Sequence, residues 1–340
     1  MILTKSFLET AEEKEELVFL DREEFDDFNL DLTIDDLFKL RNDISPLDTL
    51  EMSTEEFIEK CTIRQPMFSE RVLKPSNMYY FFPKENISSL GNHKIKIYSK
   101  STYARLGLRS SCQDQELMGG YEIKNFRPLV NLTTNNTSVK IKPGEKISHL
   151  VVDNLEFDHV SKPELEQMIE SGELVIRVNG LAQKLDDIVF EGNNLSSGIV
   201  LHKDARIYTY NGDVLIPRNK REDDFKDLLI PKEGLMIKDN HFYLSSSIEQ
   251  VEIPTDCVGF VKDMAYDSYT APYSSHPNAP VIGPKSIFKG VITFENIHGS
   301  TGIIRSGEKQ SVLYLRKLIE PIENGEKSKY FNQERADKSK

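Results

Sequence analysis

A chain of 340 residues is long enough for two domains of ordinary size, each with its own core. Its 43 Lys and Arg against 55 Asp and Glu give a net charge of −12, which argues against the long-range positive field that gathers DNA or RNA. A small anionic ligand stays accessible, because a phosphate needs only a few local Arg, Lys or backbone N–H groups.

The N-terminus turns acidic before an apolar stretch develops, and no run of about 18 apolar residues follows, so neither a secretory signal nor a membrane span is expected. Near the start, Ser6 and Glu9 open a short helical segment that leads into the apolar Leu17-Val18-Phe19. Short apolar runs broken by Pro, Gly, Asn and Asp then dominate, as at residues 94–98 and 138–141, and this is the pattern of an all-β domain with tight turns. At Ser161-Lys162-Pro163-Glu164 a capping box with Pro in the first turn opens a second helix, with Leu165, Met168 and Ile169 at helical spacing and Gly172 as its stop. It leads into Leu174-Val175-Ile176, much as the first helix leads into Leu17-Val18-Phe19. Residues 217–227 are dense in charge and read as an exposed loop, after which short strands resume at 258–261 and 291–294. Cys61, Cys112 and Cys257 are odd in number and far apart, which suits reduced thiols in a cytoplasmic protein better than a disulfide framework.

The two halves repeat. Residues 142–150 (KPGEKISHL) match 305–313 (RSGEKQSVL) at the offset of 163 that separates Gly144 from Gly307, and 73–80 (LKPSNMYY) resemble 235–243 (LMIKDNHFY). Two diverged copies of one domain, residues 1–158 and 159–340, are therefore expected.

Two strings carry the chemistry. Lys100-Ser101-Thr102-Tyr103-Ala104-Arg105-Leu106-Gly107-Leu108 sets two hydroxyls and a guanidinium in one tight segment; it is either a phosphate grip or a capped turn with a surface Arg. Along Phe288-Lys289-Gly290-Val291-Ile292-Thr293-Phe294-Glu295-Asn296 the alternation puts Thr293 and Glu295 on the face opposite Ile292 and Phe294. If that face lines a pocket, Glu295 can act as general acid and base; if it meets solvent, Glu295 is a surface carboxylate.

The first string resembles the R-S-S-x-A-R-L-G-L segment of the dCTP deaminase branch of the trimeric dUTPase superfamily, and residues 290–296 resemble its G-x-I-x-L-E-x segment, whose Glu is catalytic. Residues 143–150 and, less well, 306–313 are similar to the family's P-G-x-x-I-x-x-L pattern, Asn29-Leu30-Asp31-Leu32 to its S-x-D-L strand, and residues 328–333 to the A-K-Y-x-N-Q tail that folds over bound nucleotide. The resemblance runs over nearly the whole chain and is nearest to a longer, tandem class of dCTP deaminase-like proteins. It implies a mainly β fold of two dUTPase-like, jelly-roll-like β-barrel domains with a few short helices. It implies Glu295, Arg105 and Ser101 as catalytic residues, and Lys100, Thr102, Lys329, Tyr330 and Gln333 as nucleotide-binding ones. The reaction would be hydrolysis of dCTP, or a related deoxynucleotide, to its uracil counterpart, with Mg²⁺ accompanying the triphosphate. A homo-oligomer with threefold or pseudo-threefold domain arrangement goes with it.

Zinc deaminase chemistry is not expected, because the H-x-E and P-C-x-x-C ligand arrangements are missing. The departures from the family pattern divide between the copies. No Asp or Glu lies between Glu122 and Glu145, so the first copy lacks the carboxylate; no Arg lies between Arg221 and Arg305, so the second lacks the grip. One composite site, drawing Ser101, Thr102 and Arg105 from the first copy and Glu295 from the second, is the expectation. Two other readings stay open. One is dUTP pyrophosphatase activity, although neither Met118–Glu122 nor Val281–Pro284 shows the I-D-x-G-Y/F-x-G turn. The other is a nucleotide-binding regulator without turnover, in which Tyr266, Tyr269, Tyr273 and His276 of the rewritten 262–284 segment stack on a base or simply pack. The tail from Lys327 onward is basic, with Lys327, Lys329, Arg335, Lys338 and Lys340 against Glu334 and Asp337, and reads as a phosphate lid or a frayed end.

Overall fold

The computed structural model describes residues 2–14, 17–20, 25–44, 52–75, 77–89, 93–112, 123–134, 138–154, 159–210, 214–215, 225–237, 241–263, 273–274, 280–298, 302–328 and 330–334. Among them strands dominate and the four α-helices are short, so the fold is mainly β. None of these helices is long and apolar enough to cross a membrane.

The chain divides into two compact units. The N-terminal unit comprises Lys5–Leu155 with Asp213–Lys220, and the C-terminal unit comprises Met1–Thr4, Glu156–Gly212 and Arg221–Lys340. Each unit thus holds a short piece from the other half of the sequence. Val214–Leu215 adds as a parallel strand to Ser138–Ile141 in the N-terminal unit. In the C-terminal unit Ile2 bridges Leu318 in parallel, its N–H donating to the Lys317 carbonyl at 3.0 Å.

In the N-terminal unit the main sheet runs His93–Ser99, Lys146–Asn154, Leu30–Leu40, Met78–Pro83, Val130–Thr134, Leu108–Cys112. Its two end strands are consecutive in the chain and joined by residues 100–107, so the sheet is nearly closed into a barrel. The C-terminal unit repeats this order with Cys257–Asp263, Lys309–Lys317, Ser196–Tyr210, His241–Glu252 and Gly290–His298 as successive neighbours. Tyr273–Ser274 pairs with Gly290–His298 where Leu108–Cys112 pairs with Val130–Thr134.

Local devices repeat as well. The turns at Gly144 and Gly307 have φ of +72° and +77°, a region glycine enters without a Cβ penalty. Glu145 accepts from the Lys142 N–H at 2.8 Å, and Glu308 from the Arg305 N–H at 3.1 Å. Opposite a bulge in Lys146–Asn154 and another in Lys309–Lys317, a buried carboxylate takes a backbone N–H of the facing strand. Glu85 accepts from Thr33 and Glu249 from His202, both at 2.9 Å. A bulge removes a ladder partner, and a buried N–H left without one costs about 1–3 kcal/mol, so the carboxylates offset the irregularity.

The helix opened by Ser161 spans Lys162–Ser171 and ends at Gly172, which adopts φ +75°. It buries Leu165 and Met168 against a core that includes Ile199, Leu201, Ile292, Phe294 and Leu313, at about 2 kcal/mol for each side chain buried. The first helix spans Lys5–Glu13. A further helix, Thr54–Cys61, was not expected. Its Ser53 N-cap and Glu56 satisfy each other's backbone N–H groups in a full capping box. The charged stretch 217–227 is not a loop to its end, because Phe225–Leu229 pairs with Ser196–Tyr210 and buries Phe225. Its earlier part lies outside the described residues.

Candidate functional site

In the N-terminal unit the chain leaves the strand His93–Ser99 at Lys100, whose N–H donates to Ile147 at 3.0 Å and whose carbonyl accepts from Tyr103 and Ala104. These bonds wind the single-turn helix Ser101–Ala104. Gly107, with φ +79°, then turns the chain into Leu108–Cys112. Ser110 N–H and hydroxyl both reach Ser99 Oγ, at 2.7 and 3.0 Å, which pins the entrance of the segment to its exit. The turn is thereby rigid on both sides.

Within it Arg105 is only 4 % exposed, beside the buried Tyr103, Ala104 and Leu106. That removes the surface-Arg reading, since a guanidinium is kept out of water only where anionic or hydrogen-bonding partners face it. Thr102 is half-buried, and Ser101 opens the helix. Lys100 is already engaged: its ammonium bonds both carboxylate oxygens of Asp31 at 2.6 Å, with Lys146 3.8 Å away on the same carboxylate. Across the sheet Asp31 stands opposite His149, and His149 opposite Tyr98. Burial, with the Lys100 charge beside it, pushes His149 down to about 4, against the opposing pull of Asp31. The imidazole is neutral at neutral pH.

Register identifies the residue of the first unit that matches Glu295. In the small sheets, Val139 pairs with Leu73 and Gly302 with Ile237, so Leu73 answers to Ile237 and Tyr79 to Tyr243. Tyr79 stands opposite Leu132 and Tyr243 opposite Asn296. One step along, Asn131 faces Tyr80 as Glu295 faces Leu244. The carboxylate position in the first unit therefore holds an amide. Asn131 hydrogen-bonds the Tyr80 hydroxyl, whose proton burial holds above its ordinary pKa. Phe57 of the Thr54–Cys61 helix covers Tyr80 edge-on at 5.0 Å, and Phe38 and Leu129 complete the cluster. This face is filled by its own side chains.

In the second unit Ser99 is matched by Asp263 and Leu108 by Tyr273, so the counterpart of residues 100–107 is 264–272, outside the described residues. Tyr266, Tyr269 and His276 lie outside them too, as do residues 118–122. Glu295 sits mid-strand in Gly290–His298. The C-terminal tail docks at the head of that strand. Gln333 bridges Gly290 in parallel, its carbonyl accepts from Val291 N–H at 3.0 Å, and its side-chain amide donates to Thr293 Oγ1 at 2.8 Å. Tyr330 and Gln333 are buried, at 6 % and 5 % exposure. Lys329 lies outside the described residues.

Arg105, Thr102, Lys100 and Ser101 thus share one turn of the N-terminal unit, while Glu295, Tyr330 and Gln333 share one sheet region of the C-terminal unit. Sequence reading missed the Asp31 partnership of Lys100 and the tail seat at Thr293; it narrowed the counterpart of Glu295 to Val130, Asn131 or Leu132, and register selects Asn131. Among the described residues no three His, Cys, Asp or Glu side chains gather as a metal site.

No protein-family model matches the sequence, and no curated protein matches it either. The fold, by contrast, is similar to the crystal structure of 2'-deoxycytidine 5'-triphosphate deaminase from Agrobacterium tumefaciens. The TM-score is 0.73 at 14% identity, covering 94% of this chain and 99% of that one. The chain has a dCTP deaminase-like fold.

Proposed function

We propose that the protein deaminates dCTP, or a closely related deoxynucleotide, by hydrolysis, with the two units supplying complementary halves of the catalytic set. The observation that carries this reading is the division itself: a buried Arg105 in a rigid hydroxyl-bearing turn where the carboxylate position is Asn131, and Glu295 at that position in the other copy. The dCTP deaminase-like fold supports it.

In this reading Glu295 takes a proton from water as the water oxygen bonds to C4 of cytosine, and N3 becomes protonated. The second water proton passes through the same carboxylate to the exocyclic nitrogen, which leaves as ammonia while the C4 carbonyl forms. Arg105, with Ser101 and Thr102, holds phosphate oxygens by charge-assisted hydrogen bonds and fixes the pose of the base. Tyr330 and Lys329 belong to the tail that covers the nucleotide. Mg²⁺ enters as part of the triphosphate substrate, neutralising charge between its oxygens. Assembly is as a homo-oligomer with threefold or pseudo-threefold symmetry, which a light-scattering mass measures.

A second reading, nucleotide binding without turnover, is favoured by one observation: the unit that carries the Arg105 turn holds Asn131 at the carboxylate position. Incubating the pure protein with dCTP, dCMP, dUTP and their ribo-analogues, and following ammonia and phosphate products separately, decides between them. Ammonia from dCTP supports the deaminase. Pyrophosphate from dUTP or binding without product contradicts it.

A further inference from the structure

The glycine that opens the Glu295 strand has no conformational or steric alternative. Gly290 has φ +135°, which side-chain-bearing residues rarely adopt. A Cβ placed on it meets the Gln333 carbonyl oxygen at 2.3 Å and the Gln333 nitrogen at 2.8 Å, both backbone atoms that cannot rotate away. The tail approaches the strand here as closely as backbone can approach backbone. Three residues on, Thr293 receives the Gln333 side-chain amide at 2.8 Å, so Gln333 is held at both its backbone and its side chain.

The turn that brings it there is equally determined. Ser328 N–H donates to Ile287 at 2.9 Å, Tyr330 N–H reaches Ser328 Oγ at 3.2 Å, and Asn332 takes φ +60° before Gln333 N–H closes on the Tyr330 carbonyl at 3.1 Å. Two ammonium groups lie over the Phe331 ring, Lys289 at 5.3 Å and Lys327 at 4.8 Å from its centre.

We infer that Gln333 is a positioning residue rather than a nucleotide contact, and that Gly290 and Thr293 form its seat. The tail is latched through them to the strand that carries Glu295, two residues beyond Thr293. Residues 326–328 and 330–334 are then an ordered strap whether or not substrate is bound, and the base-binding end of the site is set in advance. The kinetic side of this inference rests on the proposed deaminase reading; the latch itself does not.

Hydrogen–deuterium exchange on the full-length protein without nucleotide reads the latch directly. Thr293→Val keeps the side-chain volume and removes the acceptor, so exchange across 326–334 rises about tenfold, the scale of one lost hydrogen bond. Thr293→Ser restores protection. Gly290→Ala exposes the same segment, and Thr293→Val decides the matter should Gly290→Ala fold poorly. With dCTP, Thr293→Val and Gln333→Leu raise KM by similar factors, more than they lower kcat, and the double variant is no worse than the poorer single one. Unchanged tail exchange in Thr293→Val overturns the latch. Multiplying KM effects overturn the positioning role, because they mean that Gln333 touches the nucleotide independently of Thr293. A wild type that turns over no nucleotide sinks the deaminase reading, while the exchange result still decides the latch.

Discussion

Asn131 and Glu295 occupy the same rung of the same ladder in two copies of one fold, opposite Tyr80 and Leu244 respectively. Around Asn131 the sheet face has been closed by Tyr80, Phe38, Leu129 and the helix that carries Phe57. The comparison teaches that where this rung carries an amide, aromatic and aliphatic side chains fill the face around it. Burial of these side chains stabilises the unit by about 2 kcal/mol each. In the same unit the Arg105 turn is buried and pinned.

The comparison can be broken most severely at Glu295. Glu295→Gln lowers the rate of ammonia release from dCTP by about a thousandfold or more, the scale of general acid–base catalysis. Asn131→Ala leaves it within about threefold; a large loss there contradicts the assignment of one working carboxylate position. Next in size is Phe57→Ala, which uncovers Tyr80 and lowers stability by about 2 kcal/mol in urea unfolding without changing the deamination rate. Glu85→Gln and Glu249→Gln test whether the two bulges are equivalent devices. Each costs about 1–2 kcal/mol, and a change confined to one copy shows that the resemblance of the bulges is only formal.

The smallest effect is a pH dependence. The His149 imidazole sits below its ordinary pKa when folded, at about 4, so the folded state binds fewer protons than the unfolded chain between about pH 6.5 and 4. Its contribution to stability is complete above that window and is lost as the pH falls through it. His149→Gln therefore flattens the fall in the urea midpoint between pH 7 and pH 4.5, by less than a fully enclosed histidine does, since its side chain is partly solvated. An unchanged acid limb contradicts the environment described for His149.

Much of the fold was legible because its signals are local. The capping box at Ser161, the stop at Gly172, the Gly144 and Gly307 turns and the alternation through residues 290–296 each depend on residues a few positions apart. The helix Thr54–Cys61 carried the same kind of local signal, Ser53 and Glu56 as a capping box with Phe57, Ile58 and Cys61 at helical spacing, so it was legible although unread. Phe225–Leu229 was hidden by the charges before it.

What could not be read is non-local. Asp31 reaches Lys100 across 69 residues, Gln333 reaches Thr293 across 40, and the exchange of Met1–Thr4 and Asp213–Lys220 between units leaves no trace in periodicity. The order of motifs along the chain pointed to Arg105 and Glu295, whereas only ladder register reveals that Asn131 replaces the carboxylate in the first unit.

The central claim, that Arg105 and Glu295 are separate halves of one activity, is tested most directly by measuring dCTP binding and ammonia release together on Arg105→Ala and Glu295→Gln. The account predicts that Glu295→Gln binds dCTP within about threefold of wild type and releases almost no ammonia, because a general base acts on the barrier more than on the bound state. Arg105→Ala, folded by circular dichroism, should lose binding by about a hundredfold, as expected for charge-assisted phosphate contacts. Near-normal turnover in either variant contradicts it.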